Sequence, residues 1–453
     1  MSTVEESVQD DLRQVEAELN TRWPESKIEP SLTRISALVD LLGDPHKSYP
    51  VLHVAGTNGK TSVARMIDAL LTRIGLRTGR FTSPHLQVVT ERIAVDGAPI
   101  AAQRYVEVFR DVEPYVAMVD RGADVQMSKF EVLTGMAFAA FADAPVDAAV
   151  LEVGLGGTWD ATNVADARVA VVGPIGVDHV EYLGSDLTGI AREKAGIIKP
   201  GSIALLAEQT PEVATVLLER CAEVDATVAR AGLEFGVLRR DIAVGGQVLK
   251  LQGLGGAYDD VFLPLHGPHQ AANAALALAA VEAFFGAGAQ RSLDAEAVRE
   301  GFASVAVPGR LERVRSAPSV FVDAAHNPHG ARALAEALEE DFAFRKLVGV
   351  VGAMRDKDVQ GILSALEPVL QEVVITTNSS ERAMDPQDLA DVATEIFGVD
   401  RVNVYPRLDD ALEAAIALAE EDAGEPMSGV GVVVTGSVVT AGEARALFGK
   451  EPA

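Results

Sequence analysis

Along most of the chain, apolar β-branched runs alternate with stretches whose apolar residues recur at helical spacing, the pattern of a mainly parallel sheet covered by helices. In the first part the runs predict strands at Val51–Ala55, Asp147–Val153, Val169–Ile175 and Ser202–Ala207, with helices at Ser62–Ile74, Phe130–Phe141 and the alanine-rich Gln270–Phe285. A second alternation begins near residue 319 and predicts strands at Ser319–Ala324, Lys346–Gly352, Glu372–Thr376, Arg401–Tyr405 and Gly431–Thr435. Between the two series lies Ala306-Val307-Pro308-Gly309-Arg310, and Pro-Gly is a usual composition for an interdomain joint. The expected architecture is α/β, with a mainly parallel sheet in an N-terminal domain over residues 1–307 and a Rossmann-like α/β domain over residues 308–453. The segment Gly232–Asp260, with Gly245-Gly246 and Gly253 to Gly256, departs from the alternation and reads as β-hairpin decoration.

Length and charge narrow the classes of function. A chain of 453 residues is long for one core and suggests two or three domains. Its net charge of −27 argues against a general nucleic-acid surface or an anionic membrane partner, since both reward a basic face. Anionic substrates would have to be met by local cations, which makes the lysines and arginines inside motifs informative. Cys221 is the only cysteine, so no intrachain disulfide and no thiolate metal cluster is expected. Met1 to Asp11 is polar and acidic and lacks the pattern of a signal peptide, and no apolar run is long enough to span a bilayer. A cytoplasmic enzyme is the expectation.

The first predicted strand delivers a glycine-rich turn into a helical pattern: Val51-Leu52-His53-Val54-Ala55-Gly56-Thr57-Asn58-Gly59-Lys60-Thr61-Ser62. Glycines let backbone N–H groups converge on an anion, Lys60 brings a compact positive charge, Thr61 and Ser62 offer hydroxyls, and the helix N-terminus adds its dipole. Strand, turn, lysine, hydroxyl and helix occur in the order a phosphate cradle requires, so a chance glycine turn with a solvated lysine is the weaker reading. The strict P-loop pattern would need glycine where this chain has Val54. The N-terminal domain is expected to be of the P-loop ATPase type.

Further motifs follow in one ordered series. They are Ser83-Pro84-His85-Leu86, Glu91-Arg92-Ile93, Phe130-Glu131-Val132-Leu133-Thr134, Glu152-Val153-Gly154-Leu155-Gly156-Gly157 and Asp160-Ala161-Thr162-Asn163. After them come Asp178-His179, Arg192-Glu193-Lys194-Ala195-Gly196-Ile197, Pro308-Gly309-Arg310 and Asp323-Ala324-Ala325-His326-Asn327-Pro328. Together these resemble folylpolyglutamate synthase, in the form that often doubles as dihydrofolate synthase, a branch of the Mur ligase superfamily. The resemblance runs from about Leu32 to Thr435-Gly436-Ser437. One departure is Gly59-Lys60-Thr61-Ser62, where the family usually has Gly-Lys-Gly-Ser and the cell-wall Mur ligases read as this chain does. Those ligases carry a nucleotide-sugar domain ahead of the loop, and the residues before Gly56 are too few for one. Another Mur-type amino-acid ligase acting on a different carboxylate is the alternative.

The resemblance implies an ATP-dependent amide ligase: a folate or dihydropteroate carboxylate attacks the γ-phosphate, and the amine of L-glutamate displaces phosphate from the acyl phosphate. It implies ATP on Thr57, Asn58, Gly59, Lys60, Thr61 and Ser62, with Asn273 on the adenine side, Arg310 as phosphate clamp and Asp323 on the ribose or catalytic loop. It implies magnesium on Ser83, Glu152 and His179, with a carbamylated Lys194 as a ligand to a second magnesium. Lys60, Lys194 and His326 are the implied catalytic groups, His326 placing glutamate or the acyl phosphate. The pterin would meet Ser128-Lys129-Phe130-Glu131 and Trp159-Asp160-Ala161, where Lys129 and Trp159 depart from the commoner family wording. A monomer is the family expectation.

Taken alone, the same residues have plainer readings. Glu152 could be a surface strand terminus, His179 a helix-cap or core histidine, Lys194 a solvated helix lysine, Phe130 core packing, and Arg310 and Asp323 an interface ion pair. A nucleotide-regulated binding module would keep the phosphate loop without needing Glu152, His179 and Lys194. A simple P-loop kinase would not explain a second α/β domain carrying Asp323 and His326.

Overall fold

The computed structural model describes residues 3–23, 29–286, 291–421 and 429–452. Among them, the first alternation forms an eight-stranded sheet. Val51–Ala55 lies inside it, parallel to Ala148–Glu152 on one side and to Val169–Val172 on the other, with Val54 opposite Glu152 and Val171. Thr78–Phe81 continues past Ala148–Glu152, and Ile203–Leu206 and Thr227–Arg230 continue past Val169–Val172, all in parallel. Short antiparallel strands, Ile93–Val95 and Ala98–Pro99, finish one edge. The order of strands reverses at Val51–Ala55, which opens a crevice at the carboxyl ends of the strands beside it.

Helices cover both faces because the parallel strands are buried on both sides. Lys60–Ile74 turns Val63, Met66, Ile67, Leu70 and Leu71 inward at helical spacing. They share a core with the helix Pro268–Phe284, buried almost all round, and with a small antiparallel sheet beyond it. That sheet, Gly236–Ala243, Gly246–Gln252 and Ala257–Leu263, is the expected hairpin region, and Gly245 supplies a left-handed turn at φ +78°. On the opposite face the helices Thr3–Asn20, Thr33–Leu41, Ala102–Gly122 and Lys129–Asp143 enclose a second core. There Phe141 lies flat over Gly79, where a Cβ would come within 2.6 Å of its ring.

The second alternation forms a six-stranded sheet. Glu312–Ser316 pairs antiparallel with Ser319–Val322, and Val430–Thr435, Lys346–Val351, Glu372–Ile375 and Val402–Val404 follow in parallel. Apolar layers lie on both of its faces. The chain therefore adopts the expected class, a parallel-rich first sheet followed by a second α/β body. No helix among the described residues is long and apolar enough to cross a membrane.

Phe141 is fully buried, and truncating it should leave a cavity that the flat strand beneath cannot fill. Phe141→Ala is expected to lose about 3–5 kcal/mol in denaturant unfolding of the first body. A loss below about 1 kcal/mol would mean that the two elements collapse onto each other.

Candidate active site

The phosphate loop is built as its sequence requires. Gly56 (φ +154°) and Gly59 (φ +81°) take conformations that side chains resist, and a Cβ on Gly56 would come within 3.2 Å of the Gly173 backbone. Thr57 spends its hydroxyl on the neighbouring loop, donating to the Gly176 carbonyl at 2.9 Å and accepting from the Gly176 N–H at 3.0 Å. Lys60 folds back, its Nζ donating to the carbonyls of Gly56 and Thr57, each at 3.1 Å. Burial pushes its amine down from the usual lysine range, with Glu152 and Asp178 opposing. Thr61 Oγ1 donates to Glu152 Oε1 at 3.0 Å, while the buried Ser62 hydroxyl has no partner among the described residues. Asn273, on Pro268–Phe284, presses its amide against Gly59, 2.8 Å from where a Cβ would stand.

Glu152 is no surface terminus: it is 1% exposed, and its Oε2 has no hydrogen-bond partner among the described residues. Burial raises its carboxyl pKa, opposed first by Lys60 and then by Thr61. A dry carboxylate with one empty oxygen suits a cation. Ser83 is buried in the same wall, and His179, 41% exposed at its side chain, lines the cavity with its imidazole held down at about 4 chiefly by desolvation, neutral and able to ligate. Three His, Cys, Asp or Glu side chains do not converge on one point among the described residues. A hydroxyl, one unfilled carboxylate oxygen and a neutral imidazole are donors that magnesium accepts, the rest of its shell coming from phosphates and water.

Lys194 is not the solvated helix lysine of the plainer reading. It is 4% exposed, and its Nζ donates to the Gly56 carbonyl at 2.9 Å, sharing that oxygen with Lys60. Burial and then the Lys60 charge lower its pKa to about 7. Its helix is fixed by close backbone contact: a Cβ on Gly157 would come within 2.5 Å of the Glu193 carbonyl oxygen, and Thr158 donates its N–H to that oxygen at 3.0 Å.

The second sheet offers its carboxyl-end loops across the gap. Asp323 is buried and accepts from the N–H groups of Leu311 and Ala325, each at 2.8 Å, and burial raises its pKa against the pull of Arg310. Arg310 faces the gap, as does His326, whose Nδ1 meets the Ala324 carbonyl at 2.9 Å. Asn58 joins the two bodies: it exchanges amide hydrogen bonds with Asn327 at 3.2 and 3.1 Å and pairs with His329 Nδ1 at 2.8 Å.

A single cavity of about 2230 Å³ is lined by the phosphate loop, Ser83, Glu152, His179, Asn273, Arg310, Asp323 and His326, and at one side by Ser128, Phe130, Glu131, Trp159, Asp160 and Ala161. Two expected residues stand outside it. Lys194 lies behind the phosphate loop, and Lys129 reaches Asn20 Oδ1 at 2.8 Å. Phe130 lies against Gly154 and tilts onto Phe81 at 5.7 Å, so it both packs and lines. Ser128 and Glu131 close a reciprocal cap on Lys129–Asp143, and Glu131 also takes Arg34 Nε at 3.0 Å. Asp160 accepts from the N–H groups of Gly154, Leu155 and Thr162, each at 3.0 Å, and from the Thr162 hydroxyl, which leaves it no free lone pair.

Sequence reasoning missed Lys357 and His329, and it placed His85 and Arg92 in motifs without a role, where Arg92 Nε donates to His85 Nδ1 at 2.9 Å beside the cavity. Lys357 follows Lys346–Val351, and a charged residue just past the carboxyl end of a parallel strand is the signal that could have flagged it.

Residues 54–281 match the Mur ligase middle domain and residues 309–438 the Mur ligase glutamate ligase domain, so the class is a Mur-type ligase. Within that class, the chain is 60% identical to the dihydrofolate synthase/folylpolyglutamate synthase of Mycobacterium tuberculosis, aligned over 97% of this chain and 94% of that protein. A M. tuberculosis folylpolyglutamate synthase solved with ADP superposes at TM-score 0.95 and 59% identity, over 98% of this chain and 100% of that one. Escherichia coli FolC, solved with DHPP and ADP, superposes at TM-score 0.81 and 31% identity, over 93% and 94% of the two chains. The chain belongs to the folylpolyglutamate synthase/dihydrofolate synthase family of ATP-dependent Mur ligases.

The Lys194 environment yields a direct measurement. In protein carrying 13C at lysine Cε, one resonance absent from Lys194→Met should titrate at about 7, its amine charged below that pH and neutral above it. A midpoint near the ordinary lysine value of about 10.4 would overturn the burial argument.

Proposed function

We propose that this chain joins L-glutamate by an amide bond to the carboxylate of a folate and of dihydropteroate, converting ATP to ADP and phosphate. The observation that carries the reading is one cavity with a phosphate loop and Glu152 on one wall, Arg310, Asp323 and His326 on the other, and the aromatic pair Phe130 and Trp159 at its side. An aromatic heterocycle suits that side, and a tail leading from it reaches the phosphate loop. The DHPP and ADP bound by the E. coli relative support this placement. In this reading the chain divides at 307/308 into an ATP- and folate-binding domain and a ligase domain. Thr57 and Asn58 set the loop, Lys60 and Arg310 neutralise the γ-phosphate, Asn273 lies on the adenine side, and Asp323 stands by the ribose. Ser128, Glu131 and Asp160 frame the pterin pocket, with Ala161 in its wall and Lys129 near its rim.

The substrate carboxylate attacks the γ-phosphorus and forms an acyl phosphate as ADP leaves. The glutamate amine then attacks the acyl carbon and expels phosphate, with His326 beside the reacting groups. Positioning and charge stabilisation suffice, so no serine or cysteine nucleophile is required. Ser83, Glu152 and His179 would hold magnesium, which supplies neutralising charge during phosphoryl transfer. At neutral pH part of the Lys194 population is a free amine, able to take up carbon dioxide, lose a proton and become an anionic carbamate oxygen donor. A cytoplasmic monomer is the state we propose, and the single cysteine fits a reducing compartment.

The deciding experiment measures phosphate release from magnesium-ATP and L-glutamate with tetrahydrofolate, dihydropteroate or no pterin, with product masses. Growth by one glutamyl unit on both acceptors is expected, and Lys60→Ala should lower turnover by at least about 100-fold. No glutamate-dependent release with either pterin would point to a ligase for another carboxylate. For the carbamate, protein in 13C-bicarbonate should show a carbamate carbon that Lys194→Ala lacks. Full activity in Lys194→Ala would rule out an essential role.

A further inference from the structure

The loop after Val169–Val172 carries a carboxylate that none of these roles uses. Asp178 and Lys357 are each 9% exposed at the side chain, and Lys357 Nζ donates to Asp178 Oδ1 at 2.7 Å. Asn327 Nδ2 donates to Asp178 Oδ2 at 2.9 Å, and His326 Nε2 stands 3.6 Å from the same oxygen. Asn327 and His326 follow the strand Ser319–Val322, while Lys357 follows Lys346–Val351. One carboxylate of the first sheet thus gathers groups from two separate loops of the second. Through Asn327 the bridge reaches Asn58, and so the phosphate loop. Lys60 and Arg310 already crowd this region with positive charge. Without a facing carboxylate, Lys357 would be an uncompensated cation among like charges.

We propose that Asp178 is a positioning residue of the ligase reaction: it seats Lys357 and His326 over the phosphate loop and so fixes both second-sheet loops in the arrangement that phosphoryl and acyl transfer need. It acts through those two side chains. The turnover arm of its test rests on the ligase reading above, and the exchange arm does not.

Hydrogen exchange on the ADP-bound protein should show Asp178→Asn speeding exchange in both residues 324–329 and residues 353–358, with the first-sheet core unchanged. Unchanged exchange in either loop overturns the proposal whatever the enzyme does. In turnover, Asp178→Asn should lower kcat by about 100-fold while the Kd for ADP stays within about threefold of wild type. A kcat within about threefold, or an ADP affinity that falls in step with kcat, overturns it. The double variant Asp178→Asn, Lys357→Met should be no slower than the slower single variant, because the two act as one unit; multiplying effects would sink the pairing. If Asp178→Asn does not fold, Lys357→Met carries the same exchange test, with unchanged loops again overturning the proposal.

Discussion

Positive charge is crowded and dry around the phosphate loop, and the rest of the site depends on how that charge is held. Lys60 and Lys194 both donate to one carbonyl oxygen, that of Gly56, with Lys60 half-buried and Lys194 fully so. Desolvating an ion costs several kcal/mol even after relaxation, so two ammonium groups on one oxygen are not stable without relief. Relief comes in three forms here. The carbonyl dipole faces both amines, Glu152 and Asp178 bring negative charge close, and Lys194 gives up part of its proton near neutral pH. The whole-chain charge of −27 would repel ATP and carboxylate substrates, so this local concentration has to supply the attraction.

The phosphate loop and the paired alternations were legible because they are local. Spacing puts glycines, lysine and hydroxyls on one turn, and continuous apolar runs such as Val169–Val172 signal strands buried on both faces. Thr78–Phe81, Ile93–Val95, Ala98–Pro99, Thr227–Arg230 and Glu312–Ser316 were not anticipated: each is five residues or fewer, too short for its alternation to stand out from neighbouring turns. Burial of charge was not legible either. Lys194 sits in Arg192-Glu193-Lys194, which reads as a solvated helix face until Gly157 and Thr158 are seen packed on that helix. Asp356-Lys357-Asp358 likewise reads as a solvated charge run, yet its lysine finds its partner far away in sequence, at Asp178.

The two bodies meet through side chains rather than through a shared sheet. Asn58 reaches Asn327 and His329 from inside the phosphate loop itself. At the far side of the contact, Arg240 binds Glu340 at 2.9 Å and also Asp341, at the end of Pro328–Asp341. Gly442 allows the helix Val438–Leu447 to sit against the Leu86 carbonyl, where a Cβ would come within 1.9 Å. These contacts lie at separate points around the cavity. A small rotation of one body would change the Asn58 bridge and the gap between Arg310 and Lys60 together, so nucleotide contacts and second-body loops are mechanically linked.

Carboxylates in and around the cavity divide by how their lone pairs are used, and the division separates framework from reactive surface. Glu91 accepts from the N–H groups of Leu86, Gln87 and Val88, Asp160 from three backbone N–H groups and a hydroxyl, and Asp323 from Leu311 and Ala325. Each shapes a loop, and backbone donors fix its geometry before any ligand arrives. Glu152 differs, because one of its oxygens is buried and unfilled. Asp178 differs too, because beyond the N–H of its neighbour His179 its donors, Lys357 and Asn327, come from the other body. An unfilled buried oxygen is costly in isolation and is satisfied by a cation, whereas a carboxylate fed from across a gap is satisfied only when the gap is closed. Family motifs mark all of these acids alike, and only their hydrogen-bond partners tell which ones hold the site in shape and which remain to bind.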